Sequence, residues 1–100
     1  DSKFEKLLYK EVCYVEAMQN YAVIHTKDRK LITYITMTSL ENQLPKEQFL
    51  KVHKSFIVAV QHIKAIEGNE ILIGDSRIPI SRNLKDEVVN QILGNKLFKR

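Results

Sequence analysis

A chain of 100 residues with 44% hydrophobic residues is long enough for one folded domain and too apolar for a disordered chain. Its single cysteine, Cys13, excludes an internal disulfide and favours a reducing compartment, and no apolar run approaches the ~18 residues of a membrane span. The formal net charge of +4 suits a polyanionic partner without identifying one. We therefore expect one cytoplasmic domain over residues 1–100, and the start at Asp1 rather than Met suggests a piece of a longer protein.

Four strands are predicted in the first third of the chain. The apolar patch Leu7–Tyr9, within residues 1–11, predicts an edge strand, and the segment Val12–Ala17 predicts a second strand. The alternating segment Tyr21–Thr26 is followed by a charged reversal and by Leu31–Thr36, so these two segments predict a hairpin.

A short helix is expected next. The hydroxyl of Thr38 and the carboxylate of Glu41, three residues later, fit a capping box, and Pro45 stops the run. This pattern predicts one or two helical turns over residues 39–44.

The stretch Phe49–Ile63 is the one on which the rest of the chain depends. Its β-branched and aromatic residues, without Gly or Pro, predict a strand buried on both faces. The polar residues 53–55 stand at the entrance to the apolar run Phe56–Val60. A stiff strand would hold this polar segment at a fixed place on the surface, although on this stretch alone an ordinary solvated turn is the commoner case.

The second half predicts a hairpin and an edge strand. Residues Ile63–Glu67 and Glu70–Ile73 flank a Gly-Asn pair at 68–69, and both residues of that pair tolerate positive φ. Residues Arg77–Ile80 form a third segment, and Pro79 places it at a sheet edge because proline cannot donate to a ladder.

A helix follows, with Ser81 or Asn83 as its N-cap and Asp86 in the first turn, where the helix dipole favours an acid. Gly94 fits the end of the helix, and residues 94–100 form a basic tail.

No recognised catalytic or metal motif is present. His25, His53 and His62 do not stand at ligand spacing, and neither a Gly-rich phosphate loop nor a GxSxG elbow occurs. We expect no enzyme activity, no cofactor and no metal site, while a constellation of residues from distant parts of the chain is left open.

Three loops at the ends of predicted strands share polar and basic side chains: Asn20 and Tyr21, then Lys54 and Ser55, then Arg82, Asn83 and Lys85. Such side chains reach phosphate oxygens and base edges. A helix that begins near Arg82 also offers free N–H groups to an anion. These loops can form one face only if the sheets fold them to the same side.

Three motifs, in this order, resemble the LytTR DNA-binding domain, the output module of bacterial LytR/AlgR/AgrA-type response regulators. They are YVEA-x-x-NY, F-x-KVHKSF-x-V and IPISRN, and the similarity runs roughly from Leu8 to Leu93. One departure is Ala59, where the family usually carries Asn.

The resemblance implies a mostly-β fold of short strands in stacked sheets, with a short mid-chain helix and one C-terminal helix. It implies sequence-specific binding of double-stranded DNA by loops in successive major grooves, as the output domain of a two-component response regulator that controls transcription. The corresponding positions are Asn20 and Tyr21, Lys54, and Arg82, with Ser55, Asn83 and Lys85 expected at phosphates rather than at bases. The resemblance also implies paired direct-repeat sites and an N-terminal receiver domain, and it leaves open a dimer on DNA.

Two other functions stay open: a regulatory β-module for protein–protein interaction, and a single-stranded nucleic-acid binder. The second needs exposed aromatic side chains along a groove. The sequence pattern predicts that Tyr14, Tyr34 and Phe56 are buried, which leaves Tyr21 nearly alone.

Overall fold

The computed structural model describes residues 4–94, which form eight strands and two α-helices. The elements are β1 (Val12–Ala17), β2 (Ala22–Thr26), β3 (Lys30–Thr33), α1 (Met37–Gln43), β4 (Phe49–His53), β5 (Phe56–Ala59), β6 (Ala65–Glu67), β7 (Glu70–Ile73), β8 (Ser76–Pro79) and α2 (Lys85–Leu93). Single turns of 3-10 helix occupy Tyr9–Glu11, Val60–His62 and Arg82–Leu84. The predicted basic tail after Gly94 lies outside the described residues.

The strands form two antiparallel sheets. One has five strands in the order β3-β2-β1-β5-β4, and the other has three in the order β6-β7-β8. This architecture, with one short helix in mid-chain and one at the end, confirms the expected mostly-β fold.

The five-stranded sheet is the middle layer of the molecule, because both of its faces are covered. Successive side chains of a strand point to opposite faces, and β5 shows the result. Ile57 and Ala59 pack in one cluster with Leu40 of α1, whereas Val58 packs in a second cluster with Ile71 of β7. The expectation of a strand buried on both faces is therefore confirmed for β5.

The stretch Phe49–Ile63 is nevertheless two strands and not one, which corrects the prediction. His53 pairs with Phe56, so the chain reverses through the two residues Lys54 and Ser55. A polar pair without glycine was enough to make this turn because apolar residues on both sides bury themselves in the same sheet. Val60 leaves the sheet as the first residue of a 3-10 turn.

The predicted edge strand within residues 1–11 is wrong. The backbone N–H of Leu8 donates to the Glu11 carboxylate (2.9 Å) and the N–H of Glu11 donates to the Leu8 carbonyl (2.9 Å). These bonds close a 3-10 turn instead of joining a sheet. Leu7 is partly buried against the α1-side cluster, so the apolar patch is used for packing rather than for pairing.

The mid-chain helix begins earlier than predicted. Thr36 has extended backbone angles and its side-chain oxygen accepts the N–H of Ser39 at 3.1 Å, so Thr36 is the cap and Thr38 lies inside the helix. The helix ends at Gln43, and Pro45 follows its C-cap Leu44, as expected.

The second half of the chain follows the prediction up to the last helix. Gly68 has a φ of 61° in the two-residue turn between β6 and β7, and β8, which contains Pro79, is an edge strand.

Neither Ser81 nor Asn83 is a side-chain N-cap of α2, which corrects the expected start of this helix. Residues Arg82–Leu84 form a 3-10 turn first, and α2 begins at Lys85 without a side-chain cap. Asp86 does lie in its first turn, as expected, and Gly94 is its C-cap.

Candidate nucleic-acid interface

Two backbone hydrogen bonds bring the three predicted loops to one end of the molecule. The N–H of Ala17, the last residue of β1, donates to the carbonyl of Ser55 (2.8 Å). The N–H of Ser81, just after β8, donates to the carbonyl of Val52 (2.8 Å). The β1–β2 loop and the β8–α2 connection are therefore both fastened to the β4–β5 hairpin near its tip.

A β-bulge makes the second of these bonds possible. Lys51 pairs with Ile57 and His53 pairs with Phe56, so Val52 is an extra residue on β4. A bulged residue is left out of the strand ladder and bends its strand. The Val52 carbonyl receives its donor from Ser81, which fixes the start of the connection that carries Arg82.

The β1–β2 loop faces Lys54 across a shallow open cleft. The N–H of Met18 donates to the Tyr21 carbonyl (2.8 Å), which closes the loop. Asn20 is exposed at its tip and Tyr21 is half-buried. Both line a cleft of about 330 Å³ that Lys54 also lines.

The side chains of Lys54 and Arg82 are exposed and form no hydrogen bond or ion pair with any residue in the range 4–94. Other cations are neutralised within the domain: Arg77 pairs with Glu67 and Glu70, both at 3.1 Å, and Arg29 pairs with Glu5. The Glu67 and Glu70 carboxylates raise the pKa of Arg77. The end that carries the three loops thus presents two cationic side chains without an ion-pair partner among residues 4–94, and such charges attract phosphate.

The three lesser candidates differ in how free they are. Asn83 is exposed, whereas the half-buried Ser55 donates its backbone N–H to His53 Nδ1 (3.1 Å). Lys85 donates from Nζ to the Gly68 carbonyl (2.6 Å) and to Asn69 Oδ1 (2.8 Å). Its ammonium group therefore holds the β6–β7 turn in this structure. A phosphate would compete with these two oxygens for its N–H donors.

The family follows from a comparison with known sequences, in which residues 2–93 match the model of the LytTr DNA-binding domain. The chain belongs to the LytTR DNA-binding domain family. A structural comparison agrees: the solved LytTr DNA-binding domain of a Bacillus cereus response regulator matches with a TM-score of 0.78 and 26% identity, covering 88% of this chain and 85% of that one.

Two longer regulators also resemble this LytTR domain. The sensory transduction protein LytT of Bacillus cereus is 30% identical over 84 residues, which are 78% of this chain and 34% of LytT. The CO-responsive transcriptional regulator RcoM of Rhodospirillum rubrum is 35% identical over 78 residues, or 71% of this chain and 33% of RcoM. The chain thus spans about a third of the length of the curated relatives it matches.

The cleft of this LytTR domain that Asn20, Tyr21 and Lys54 line also contains an aromatic side chain that sequence reasoning missed. Tyr34 was expected to be buried, but it is 81% exposed and its ring centroid lies 6.4 Å from that of Tyr21. Within β3, Lys30 and Ile32 are exposed while Leu31 and Thr33 are partly buried, so Tyr34 continues the exposed face beyond Thr33, the last paired residue. The available signals were the two-residue period of β3, which puts position 34 on the face of Lys30 and Ile32, and the helix cap Thr36 two residues later.

Each of the three histidines of the LytTR domain contacts another residue of the domain through a ring nitrogen. His25 Nε2 lies 3.1 Å from a Glu16 carboxylate oxygen, His62 Nε2 donates to the Lys10 carbonyl (2.7 Å), and His53 accepts from Ser55. In the described part of the chain, no three His, Cys, Asp or Glu side chains converge as metal ligands would.

Two further residues that the sequence analysis singled out, Cys13 and Ala59, lie in the interior. Cys13 is buried, and this burial is the main reason that the pKa of its thiol is raised. Ala59, where the family usually carries Asn, is also buried, so it takes no part in the surface. Among residues 4–94 neither helix has the length and apolar character that a bilayer crossing requires.

Proposed function

We propose that this domain binds double-stranded DNA sequence-specifically, as the output domain of a two-component response regulator that controls transcription in the cytoplasm. The observation that carries the proposal is the meeting of three loops at one end, where the side chains of Lys54 and Arg82 lack partners among the described residues. An interface with unpaired cations and exposed amides on short, fastened loops has the chemistry of major-groove and phosphate contacts. The proposed role is binding alone, without catalysis.

Arg82 and Lys54 have different roles in this proposal. The guanidinium of Arg82 can donate two hydrogen bonds to guanine O6 and N7, a contact worth about 1–3 kcal/mol of discrimination. Lys54 either reads a base in the same way or holds a phosphate as a point charge. Asn20 and Tyr21 contact the DNA from the neighbouring loop, and the remaining candidates, Ser55, Asn83 and Lys85, position the domain on phosphates.

The larger protein is the second part of the proposal. The relatives named above are a sensory transduction protein and a transcriptional regulator, each about three times as long as the matched segment. We propose an N-terminal receiver domain that brings two copies together on paired direct-repeat sites. Pairing raises the effective concentration of the second domain, which suits a module that binds weakly alone.

The test of the proposed function is the variant Arg82→Ala. Duplexes selected from a random pool by the unmodified domain provide the probe, and a scrambled duplex provides the reference. We expect Arg82→Ala to bind the selected and the scrambled duplex with equal affinity. Its affinity for the selected duplex should fall by about 5- to 150-fold. Its circular dichroism and thermal unfolding should stay unchanged.

Arg77→Ala is the matched control, since it removes the same charge from an exposed side chain that already pairs with Glu67 and Glu70. We expect this variant to keep its sequence preference. An Arg82→Ala domain that still preferred the selected duplex would contradict the proposal.

One observation favours a second candidate, a single-stranded nucleic-acid binder. The exposed Tyr34 beside Tyr21 gives the cleft two aromatic rings, where the sequence predicted only one. Their planes meet at 65°, so they do not form a continuous stacking platform. Tighter binding of a single strand than of the matching duplex would decide for this candidate, and association insensitive to salt would point to a protein partner instead.

A further inference from the structure

We propose that Tyr34, with Met18 and Ile35 beside it, reads thymine by contacting its 5-methyl group in the major groove. This inference rests on the proposed duplex-DNA binding and names one base feature that the domain recognises. The three side chains line the same cleft as Asn20, Tyr21 and Lys54.

The exposure of these side chains is the first step of the argument. Tyr34 is 81% exposed, Met18 43% and Ile35 41%, so three large apolar side chains around one cleft face solvent. Clustered apolar exposure on a small domain marks a contact surface. Here it borders the end with unpaired cations, so the charge complementarity of that end to DNA identifies the partner.

The backbone around Tyr34 is the second step, because an apolar contact needs a fixed position. Tyr34 lies between Thr33, the last paired residue of β3, and Thr36, the cap of α1. The N–H of Ile35 donates to the Thr33 hydroxyl (3.3 Å) and the Tyr21 ring supports that of Tyr34 from one side. Both ends of this short link are therefore anchored in regular structure.

The chemistry of the major groove supplies the third step. The edges of the four base pairs present hydrogen-bond donors and acceptors there, and the thymine C5-methyl is their one apolar group. An apolar patch beside side chains that hydrogen-bond bases thus matches a thymine next to the bases read by polar contacts. The edge-on arrangement of the two tyrosines argues against a base held between parallel rings.

Replacing thymine by deoxyuridine, which lacks only the 5-methyl group, tests the inference. The unmodified domain and Tyr34→Ala are each titrated with the selected duplex and with versions in which each thymine in turn becomes deoxyuridine. We expect one or more positions at which the substitution weakens the unmodified domain by about fourfold, the burial of one methyl group expressed as affinity.

At those positions we expect Tyr34→Ala to be insensitive to the substitution, so that the two changes together cost no more than one of them. Tyr34→Phe keeps the apolar ring and is expected to bind as the unmodified domain does. Phe4→Ala is the aromatic control, because Phe4 is 98% exposed and precedes Glu5, which pairs with Arg29 in the turn at the far end of β2 and β3.

Three results would overturn the inference: no thymine position is sensitive, Tyr34→Ala binds like the unmodified domain, or Tyr34→Ala is weakened equally on thymine and deoxyuridine duplexes. The last result would mean a contact with sugar or backbone. In each case an Arg82→Ala domain without sequence preference would leave the proposed duplex binding intact, so the two failures are distinguishable.

Discussion

Thr36 does two things at once, since its hydroxyl caps α1 and its position ends the link that carries Tyr34. Removing an N-cap hydroxyl typically costs about 1 kcal/mol. We expect Thr36→Ala to lower the free energy of unfolding by that amount in urea titrations, because the Ser39 N–H loses its acceptor.

Thr38→Ala is the control for this prediction. Thr38 is exposed inside α1 and alanine is the better helix former, so we expect no loss of stability. Equal losses for both variants would mean that the helix is capped in another way.

At the residue scale, the sequence was informative where a side chain is polar and misleading where it is aromatic. Lys54 and Arg82 stand in motifs whose polar residues interrupt apolar runs, and the structure leaves both side chains without partners among the described residues. Tyr34 was predicted to be buried, but the two-residue period of β3 places it on the exposed face with Lys30 and Ile32. Which face of β3 is exposed is decided by how the sheet packs, and the sequence of one strand does not fix it.

Among the elements, the bulge in β4 and the connection after β8 are joined by the hydrogen bond from the Ser81 N–H to the Val52 carbonyl. Ser81 has a φ of −62°, which a proline ring accommodates, so Ser81→Pro removes the N–H with little change of backbone shape. The Val52 carbonyl, on a fully buried residue, then lacks its donor, at a cost of about 1–3 kcal/mol. Proline also lowers the conformational entropy of the unfolded chain, which stabilises the folded domain by about 0.4–1 kcal/mol.

We therefore expect a net loss of up to about 2.6 kcal/mol for Ser81→Pro, and weaker binding to the selected duplex because Arg82 is next in the chain. Ser81→Ala keeps the N–H, and the Ser81 side chain makes no capping bond, so its stability and affinity should match those of the unmodified domain. Chemical denaturation and duplex titration measure both effects. Unchanged affinity for Ser81→Pro would show that this bond does not position Arg82.

Element identity was largely predictable from the sequence, and element pairing was not. The β2–β3 and β6–β7 hairpins follow from alternation around short polar turns, and the last helix from its acidic first turn. The β4–β5 hairpin was interpreted as one strand because Lys54-Ser55 contains no glycine to mark a reversal. Residues 9–11 form a turn because a local carboxylate satisfies the backbone there, which alternation does not register.

For the whole molecule, the distribution of charge matters more than its total. The formal net charge is only +4, and two of the arginines, Arg29 and Arg77, are held in ion pairs within the domain. Binding that neutralises roughly four to six phosphates gives a slope of about −4 to −5 in a plot of log affinity against log salt. We expect this slope for the selected duplex.

Lys54→Ala should make the slope shallower by about one. Lys64→Ala is the matched control, since Lys64 is an exposed lysine on the link before β6 and its backbone N–H bonds to Leu72. Titrations at several salt concentrations measure both slopes. Identical slopes for Lys54→Ala and Lys64→Ala would mean that Lys54 contacts neither a phosphate nor a base.

The two-residue turn at Lys54 and Ser55 also bears on how such a domain could change its target. Lys54 is exposed and adds nothing to either cluster of buried residues, while the strands on both sides supply Val52, Ile57 and Val58 to those clusters. We therefore expect substitutions at position 54 to change the free energy of unfolding very little. Under the proposed binding through this tip, single substitutions at position 54 are expected to change the preferred DNA sequence without loss of stability.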